Sequence, residues 1–390
     1  MVTRASPGPV AILGAGLSGL SLACALLEEN VSDPIVLIDR REAWGRDRTW
    51  CTWASETMRF SELASHRWPA WRIVDGDREA VARSPRHPYL HFDSRDVYGE
   101  ALRRLETASN VELRTGHTVT GLTADPRTGR PVIHANRGEI EATTVYDALG
   151  PNSPLLRGQP RGEIELVQSF LGWDVEVEKP IFDPGMATLM DFRSDSHHGL
   201  RFLYVLPFSS TRALIEDTSI GRAGATAAER RALLEEELAA RSGGAGWQVH
   251  HEERGVIPMS TRSFKLHRGA HVHAVGAAAG SIRPSSGYAF SRIQRHCSLV
   301  ARAHARAQPF PTRVTPARVS ALDAIFLRAL DTDPQRFPEV FLRLAGRVPG
   351  DVFARFMTDL STPAEDARVI AALPKAPFLA ALARSVRARR

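Results

Sequence analysis

Glu216 and Asp217 lie in the apolar segment Leu214-Ile215-Glu216-Asp217-Thr218, and a carboxyl set in an apolar strand is the residue type that general acid chemistry asks for. Neighbouring residues on a strand face opposite sides, so one acid points inward and one outward unless the strand bends. An inward carboxyl in an apolar cavity has its pKa raised and can act as a general acid; two acids solvated at a strand end do neither. A second constellation is directed at phosphate. Gly14-Ala15-Gly16-Leu17-Ser18-Gly19 follows the apolar run Val10 to Leu13 and opens a helical stretch bearing Leu20, Leu22, Leu26 and Leu27. Gly14 permits the tight turn, Gly16 beside Ala15 lets the backbone approach a pyrophosphate, and Gly19 lets helix and strand pack closely. The next apolar run, Ile35 to Ile38, ends in Asp39, placed to take a ribose hydroxyl. Asp147 to Gly150 forms another strand-to-glycine turn of the kind that lies beside a bound dinucleotide. The loop from Gly276 through Arg283-Pro284-Ser285-Ser286-Gly287-Tyr288 runs from a strand into a helix, and its small residues suit a second contact with the same cofactor.

Other chemistries lack their residues. His271 and His273 share a strand face but have no third ligand near them in sequence, so no metal is expected. No Gly-x-Ser-x-Gly elbow and no His-Glu-x-x-His motif supports a hydrolase or zinc protease. With no second complete glycine fingerprint, a separate nicotinamide domain is not expected. Three cysteines, Cys24, Cys51 and Cys297, are too scattered for a disulfide framework and fit a reducing compartment. Arg40 and Arg41 after Asp39 are either a ribose-phosphate contact or ordinary surface arginines. Trp44, Trp50, Trp53, Trp68 and Trp71 crowd one segment, as an apolar pocket wall or as plain core.

The elements that must position these groups follow from pattern. At 390 residues, 43% hydrophobic and 24% charged, the chain has ample core for two intimate domains. Residues 1–160 and 265–310 read as a discontinuous nucleotide-binding α/β domain. Residues 161–264, with alternating runs and Pro and Gly punctuation, read as an inserted, mainly antiparallel substrate-binding sheet. Residues 311–390 read as a C-terminal helical region. The net charge of +6 is mostly arginine interleaved with acids, which lacks the clustered footprint of a nucleic-acid binder. No run is apolar enough to span a bilayer, and Met1 to Pro7 lacks the core of a signal peptide, so a cytoplasmic, at most peripheral, protein is expected.

Taken in order, these segments resemble the bacterial lycopene β-cyclase family of carotenoid biosynthesis, flavoproteins with a p-hydroxybenzoate-hydroxylase-like architecture. The resemblance rests on the Gly14 to Gly19 fingerprint, Arg48-Thr49-Trp50-Cys51-Thr52-Trp53, Leu206-Pro207-Phe208-Ser209, the Glu216 segment, and Gly255-Val256-Ile257-Pro258-Met259. Arg283 to Tyr288 and Ala371 to Leu379 extend it to nearly the whole chain. It implies FAD, used in reduced form in a redox-neutral isomerisation with NADPH as electron source, and lycopene or a related polyene as substrate. Its ends would be cyclised to β-ionone rings, giving β-carotene via γ-carotene. The family's essential glutamate maps to Glu216, with Asp217 its acidic neighbour, and the cofactor contacts extend to Arg48, Thr49, Pro284, Ser286, Gly287 and Tyr288. Ser286 stands where the family usually has threonine. The alternative on the same fold is a flavin-dependent monooxygenase acting on an aromatic or isoprenoid substrate. A polyene this apolar implies docking on the inner membrane face. The C-terminal stripe of Phe326, Leu330, Phe337, Phe341, Leu344 and Phe353 either serves that docking together with the basic tail, Arg384 to Arg390, or packs on the flavin domain.

Overall fold

The computed structural model describes residues 8–56, 58–151, 153–192 and 199–388, with side chains described to residue 383. The initiating segment Met1 to Pro7, the loop histidines His197 and His198, and the side chains of the basic tail lie outside them. Val10–Leu13 and Ile35–Ile38 are buried along their whole length, as strands covered on both faces must be. They form the centre of a five-stranded parallel sheet in the order Val272–Ala274, Thr144–Asp147, Val10–Leu13, Ile35–Ile38, Val111–Arg114. Helix Leu17–Glu28 leaves the glycine turn and packs against helices Phe290–Ala305 and Ser94–Glu106. Gly19 is obligatory there, since a Cβ would sit 1.8 Å from the Gly14 carbonyl oxygen.

The second layer is a seven-stranded sheet. Its order is Trp247–Ser260, Glu165–Val177, Arg212–Gly221, Leu200–Pro207, Met186–Phe192, Ala70–Asp75, Arg78–Arg83. Every neighbouring pair is antiparallel except Met186–Phe192 with Ala70–Asp75. The sheet thus draws two strands from residues 70–83 in addition to the 161–264 segment, because the edge of Met186–Phe192 is completed by a hairpin from earlier in the chain. Helix Ala227–Ser242, opened by a Thr226–Glu229 capping box, lays Leu234 and Leu238 on one face against Trp173, Val175 and Ile215.

Helices Ala317–Thr332, Phe337–Arg347 and Gly350–Met357 cover the other face. Leu330, Phe337, Leu344 and Phe353 are buried among Trp71, Ile73, Leu189 and Phe192. The aromatic stripe therefore packs inward, but on the large sheet rather than on the parallel one, whose faces are already filled, one by its own helices and the other by the small antiparallel sheet Val119–Ala124, Pro131–Ala135 and Gly138–Glu141. Of the tryptophans, Trp53, Trp68 and Trp71 are core.

Candidate active site

Between the large sheet, strand Thr49–Trp53, the Gly276–Ala289 loop and the C-terminal helices lies a cavity of about 420 Å³. Its walls are aromatic and aliphatic, with Trp50, Trp53, Phe170, Phe202 and Phe353 among them. Strand pairing sets its polar floor. Tyr204 lies opposite Glu216, Glu216 opposite Gly172, and Gly172 opposite Glu253, so one row crosses four strands on the cavity face. Glu216 is 8% exposed, and burial together with the negative charge and hydrogen bond of Glu253 raises its carboxyl well above the usual range. Glu253 accepts a hydrogen bond from Thr49 Oγ1 at 2.8 Å. Beside the acids, the Tyr89 hydroxyl is linked to Tyr204 at 2.7 Å and to Tyr288 at 2.6 Å, and desolvation raises all three phenols.

Asp217 does not join them. Alternation turns it to the opposite face, where Arg201 binds it through two hydrogen bonds of 2.8 and 2.9 Å and Arg230 through one of 2.9 Å. Its expected place beside Glu216 in the chemistry is corrected by this geometry: the side chain is fully buried in an ion-paired cluster that never meets the cavity.

The nucleotide-directed residues gather around the first helix. Gly14 holds φ +94°, and a Cβ there would meet the Ala148 carbonyl oxygen at 2.8 Å. Gly16 leads the helix without a side-chain cap and without an acid in the first turn, and a Cβ on Gly16 would find only Arg41 Nη2, at 3.7 Å. That open, uncapped N-terminus is a site where orphan amides and the helix dipole favour an anion. Asp39 accepts from the Ala15 amide at 2.7 Å and from Arg41, through its amide at 2.8 Å and its guanidinium. Burial opposes its ionisation, but the Arg41 hydrogen bonds prevail and hold its carboxyl below the ordinary range. Arg41 thus serves Asp39 and stacks over Trp44 at 5.2 Å.

The later loop meets the same helix. Gly276, at φ +63°, stands where a Cβ would collide with Ser18 Oγ at 1.7 Å. Arg48, Thr49, Ser286, Gly287 and Tyr288 line the cavity. Gly287 holds φ +76°, and the Ser286 hydroxyl is buried with no partner. Pro284 faces a neighbouring cleft with Arg262 and Phe264. Gly150, at φ +89°, has open space beside it, and the adjoining Pro151 reaches the cavity wall. Asp147 is corrected from a cofactor contact to a loop staple: it is fully buried, accepts from Leu149 N at 3.1 Å and Ser153 Oγ at 2.8 Å, and is ion-paired with Arg268.

Sequence reasoning missed Glu253, Gly172 and the two tyrosines linked to Tyr288, Tyr89 and Tyr204. A signal existed for one of them: a glycine inside a long strand marks a close approach. The tyrosines come from three distant segments and left no local pattern.

A family model described as lycopene cyclase protein matches residues 9–383. Among curated relatives, the lycopene beta-cyclase of Paracoccus sp. is 28% identical over 75% of this chain and 72% of that one. The lycopene beta-cyclase of Pantoea ananas is 25% identical over 95% and 96%. Among solved structures, an anhydrotetracycline hydroxylase from Streptomyces rimosus aligns with TM-score 0.63 at 17% identity, over 91% of this chain and 76% of that one. A geranylgeranyl bacteriochlorophyll reductase-like protein from Thermoplasma acidophilum aligns with TM-score 0.61 at 14% identity, over 94% and 96%. These likenesses show the fold, the p-hydroxybenzoate-hydroxylase-like α/β architecture with its added β-sheet layer and C-terminal helices.

Proposed function

The chain belongs to the lycopene cyclase family, and on that premise we propose that it is a lycopene β-cyclase, closing the linear ends of lycopene into β-ionone rings. The observation that carries this reading is a buried Glu216, its carboxyl raised well above the usual range by burial and by Glu253, in a cavity walled by aromatic and aliphatic side chains. Ring closure needs a proton delivered to a terminal alkene, a carbocation sheltered from water and a proton removed from the new ring. Glu216 supplies the proton, the faces of Trp53 and Tyr288 suit the cation, and the apolar walls exclude competing water.

The residues fit FAD: an uncapped helix N-terminus beside Gly14, Ala15 and Gly16 for the pyrophosphate, Asp39 for a ribose, and the unpartnered Ser286 hydroxyl with Gly287 for the ring system. Bound in reduced form, with NADPH as the source of electrons, FAD would supply negative charge that offsets the cation, with no net redox change. Thr49 and Arg48, assigned by resemblance to the cofactor, stand at the cavity's acidic end, where Thr49 orients Glu253.

No described helix is long and apolar enough to cross a membrane. The polyene is taken from the inner membrane face by peripheral docking. Leu360, Ile370, Leu379 and Leu382, exposed on or beside the helices Pro363–Ala372 and Lys375–Ala388, supply the apolar contact.

The test is anaerobic incubation of the flavin-reduced protein with lycopene in liposomes, analysed by chromatography. Rings formed without oxygen and with only catalytic reductant are the expected result. Hydroxylated product that requires oxygen and stoichiometric NADPH would replace this reading with the monooxygenase.

A further inference from the structure

Glu216 and Glu253 stand two strands apart, which by sheet spacing separates their backbones by roughly 9–10 Å. Their side chains meet because the residue between them is Gly172. A Cβ on Gly172 would lie 2.6 Å from Glu216 Cγ, so the glutamate leans across the bare glycine toward Glu253, whose Oε1 is buried with no other partner. Two carboxyls brought together out of water satisfy each other only when one of them carries a proton. Both residues are 8% exposed, and both line the cavity. Among the described residues, no arginine or lysine is hydrogen-bonded to or ion-paired with either one; the partner of Glu253 is the neutral Thr49 hydroxyl. The groups facing them from the surrounding elements are Cys51, Tyr89, Tyr204 and Tyr288, with Asp47, Arg48 and Arg254 as further charged residues of the cavity wall. Two like charges this close in a poorly solvated site repel strongly, and a proton shared between them relieves the repulsion.

We propose that Glu253 is a second catalytic carboxyl, which with Glu216 forms a one-proton pair that both starts and ends each ring closure. This rests on the cyclase reading above. Glu216 gives its proton to the CH carbon of the terminal dimethyl alkene: the O–H bond breaks, a C–H bond forms, and the cation appears on the dimethyl carbon. The CH carbon of the next substituted double bond attacks that cation, forming the ring bond and moving the charge to its methyl-bearing neighbour. Loss of the remaining proton from the attacking carbon to a carboxylate of the pair regenerates a double bond inside the ring. The pair is back to one proton, and no oxidant or reductant has been consumed. Between the two transfers both carboxyls are anionic, so the charge on the pair is greatest when the cation exists, which is the differential stabilisation catalysis needs.

Infrared spectroscopy of the flavin-loaded protein across a pH series tests the pair. Wild type is expected to show a buried carboxylic acid band at neutral pH that Glu216→Gln removes. Glu253→Gln, lacking the like charge, is expected to lose that band at a pH at least about one unit lower and to form rings about 100-fold more slowly with flavin still bound. Glu253→Asp keeps the charge on a shorter stem and should recover part of the rate; it also serves if the glutamine variant does not fold. An unchanged titration of the band in Glu253→Gln, or near-wild-type ring formation by it, overturns the proposal. The infrared arm needs no substrate, so an unshifted band in a protein that forms rings overturns the pair alone. A shifted band in a protein that forms none overturns the cyclase reading and leaves the shared proton standing.

Discussion

The adjacent acids Glu216 and Asp217 divide their work by strand alternation, and each has its own expected phenotype. Glu216→Gln keeps the shape but removes the proton, so ring formation should fall by about 100-fold or more while flavin absorbance and fold remain. Near-normal activity in that variant would move the acid elsewhere. Because the Glu216 carboxyl is raised from 4.5, the folded state holds a proton that the unfolded chain has already released. Stability contributed through this group is therefore full below 4.5 and lost as pH rises through the raised folded value. Glu216→Gln should accordingly flatten the decline of the urea midpoint on the alkaline side of 4.5, and an identical decline in wild type and variant would refute the assignment. Asp217→Asn instead strips a fully buried carboxylate from Arg201 and from Arg230, whose guanidinium is only 3% exposed. Leaving a buried charge unpaired costs about 3–5 kcal/mol, so this variant should show a lowered urea midpoint, with any folded fraction still able to protonate the substrate.

At the scale of elements, two glycine turns define where a nucleotide can lie. Gly16 and Gly19 differ in what a side chain would meet: open space beside Arg41 in one case, the Gly14 carbonyl at 1.8 Å in the other. Gly16→Val should therefore fold and emerge without flavin absorbance, whereas Gly19→Val should fail to fold. Full flavin retention in folded Gly16→Val would remove the pyrophosphate from this helix. The later loop is anchored by charge as well as by glycine. Arg283 binds Asp323 at 2.9 Å, and Arg292 binds Asp323 at 3.0 Å and Asp359 at 2.6 Å, so a buried ionic cluster ties the loop and its helix to the C-terminal helices. Such a cluster gives register rather than raw stability, because each ion must first be desolvated.

Across the whole molecule, the C-terminal helices have two surfaces with different tasks. Phe337 is fully buried against the large sheet, so Phe337→Ala should cost about 3–5 kcal/mol in an unfolding titration and leave lipid affinity of the folded protein unchanged. Leu379, 63% exposed, touches no such core; Leu379→Ser should weaken sedimentation with liposomes and leave the unfolding midpoint in place. Binding should be stronger on anionic than on neutral lipid and fall with salt, given the arginines of the chain's end. No sedimentation on either lipid at low salt would refute peripheral docking and leave the chemistry of the cavity untouched.

The sequence by itself determined what is local. The Gly14 to Gly19 turn, its flanking buried strands and Asp39 are contiguous, so spacing alone specified the parallel unit and its anion-ready helix. Alternation likewise predicted that Glu216 and Asp217 part company unless the strand bends, and the regular pairing of that strand removed the exception. Tertiary structure decided everything that depends on strand order. Glu253 becomes the partner of Glu216 only because Glu165–Val177 lies between their strands and offers Gly172 at the shared row. Asp147 and Asp217 become staples because arginines distant in sequence fold back onto them. The aromatic stripe of the C-terminal helices turns inward because the large sheet presents an uncovered apolar face. A one-dimensional pattern records which side of an element is apolar; which surface will cover it is fixed only when the chain has brought the two together.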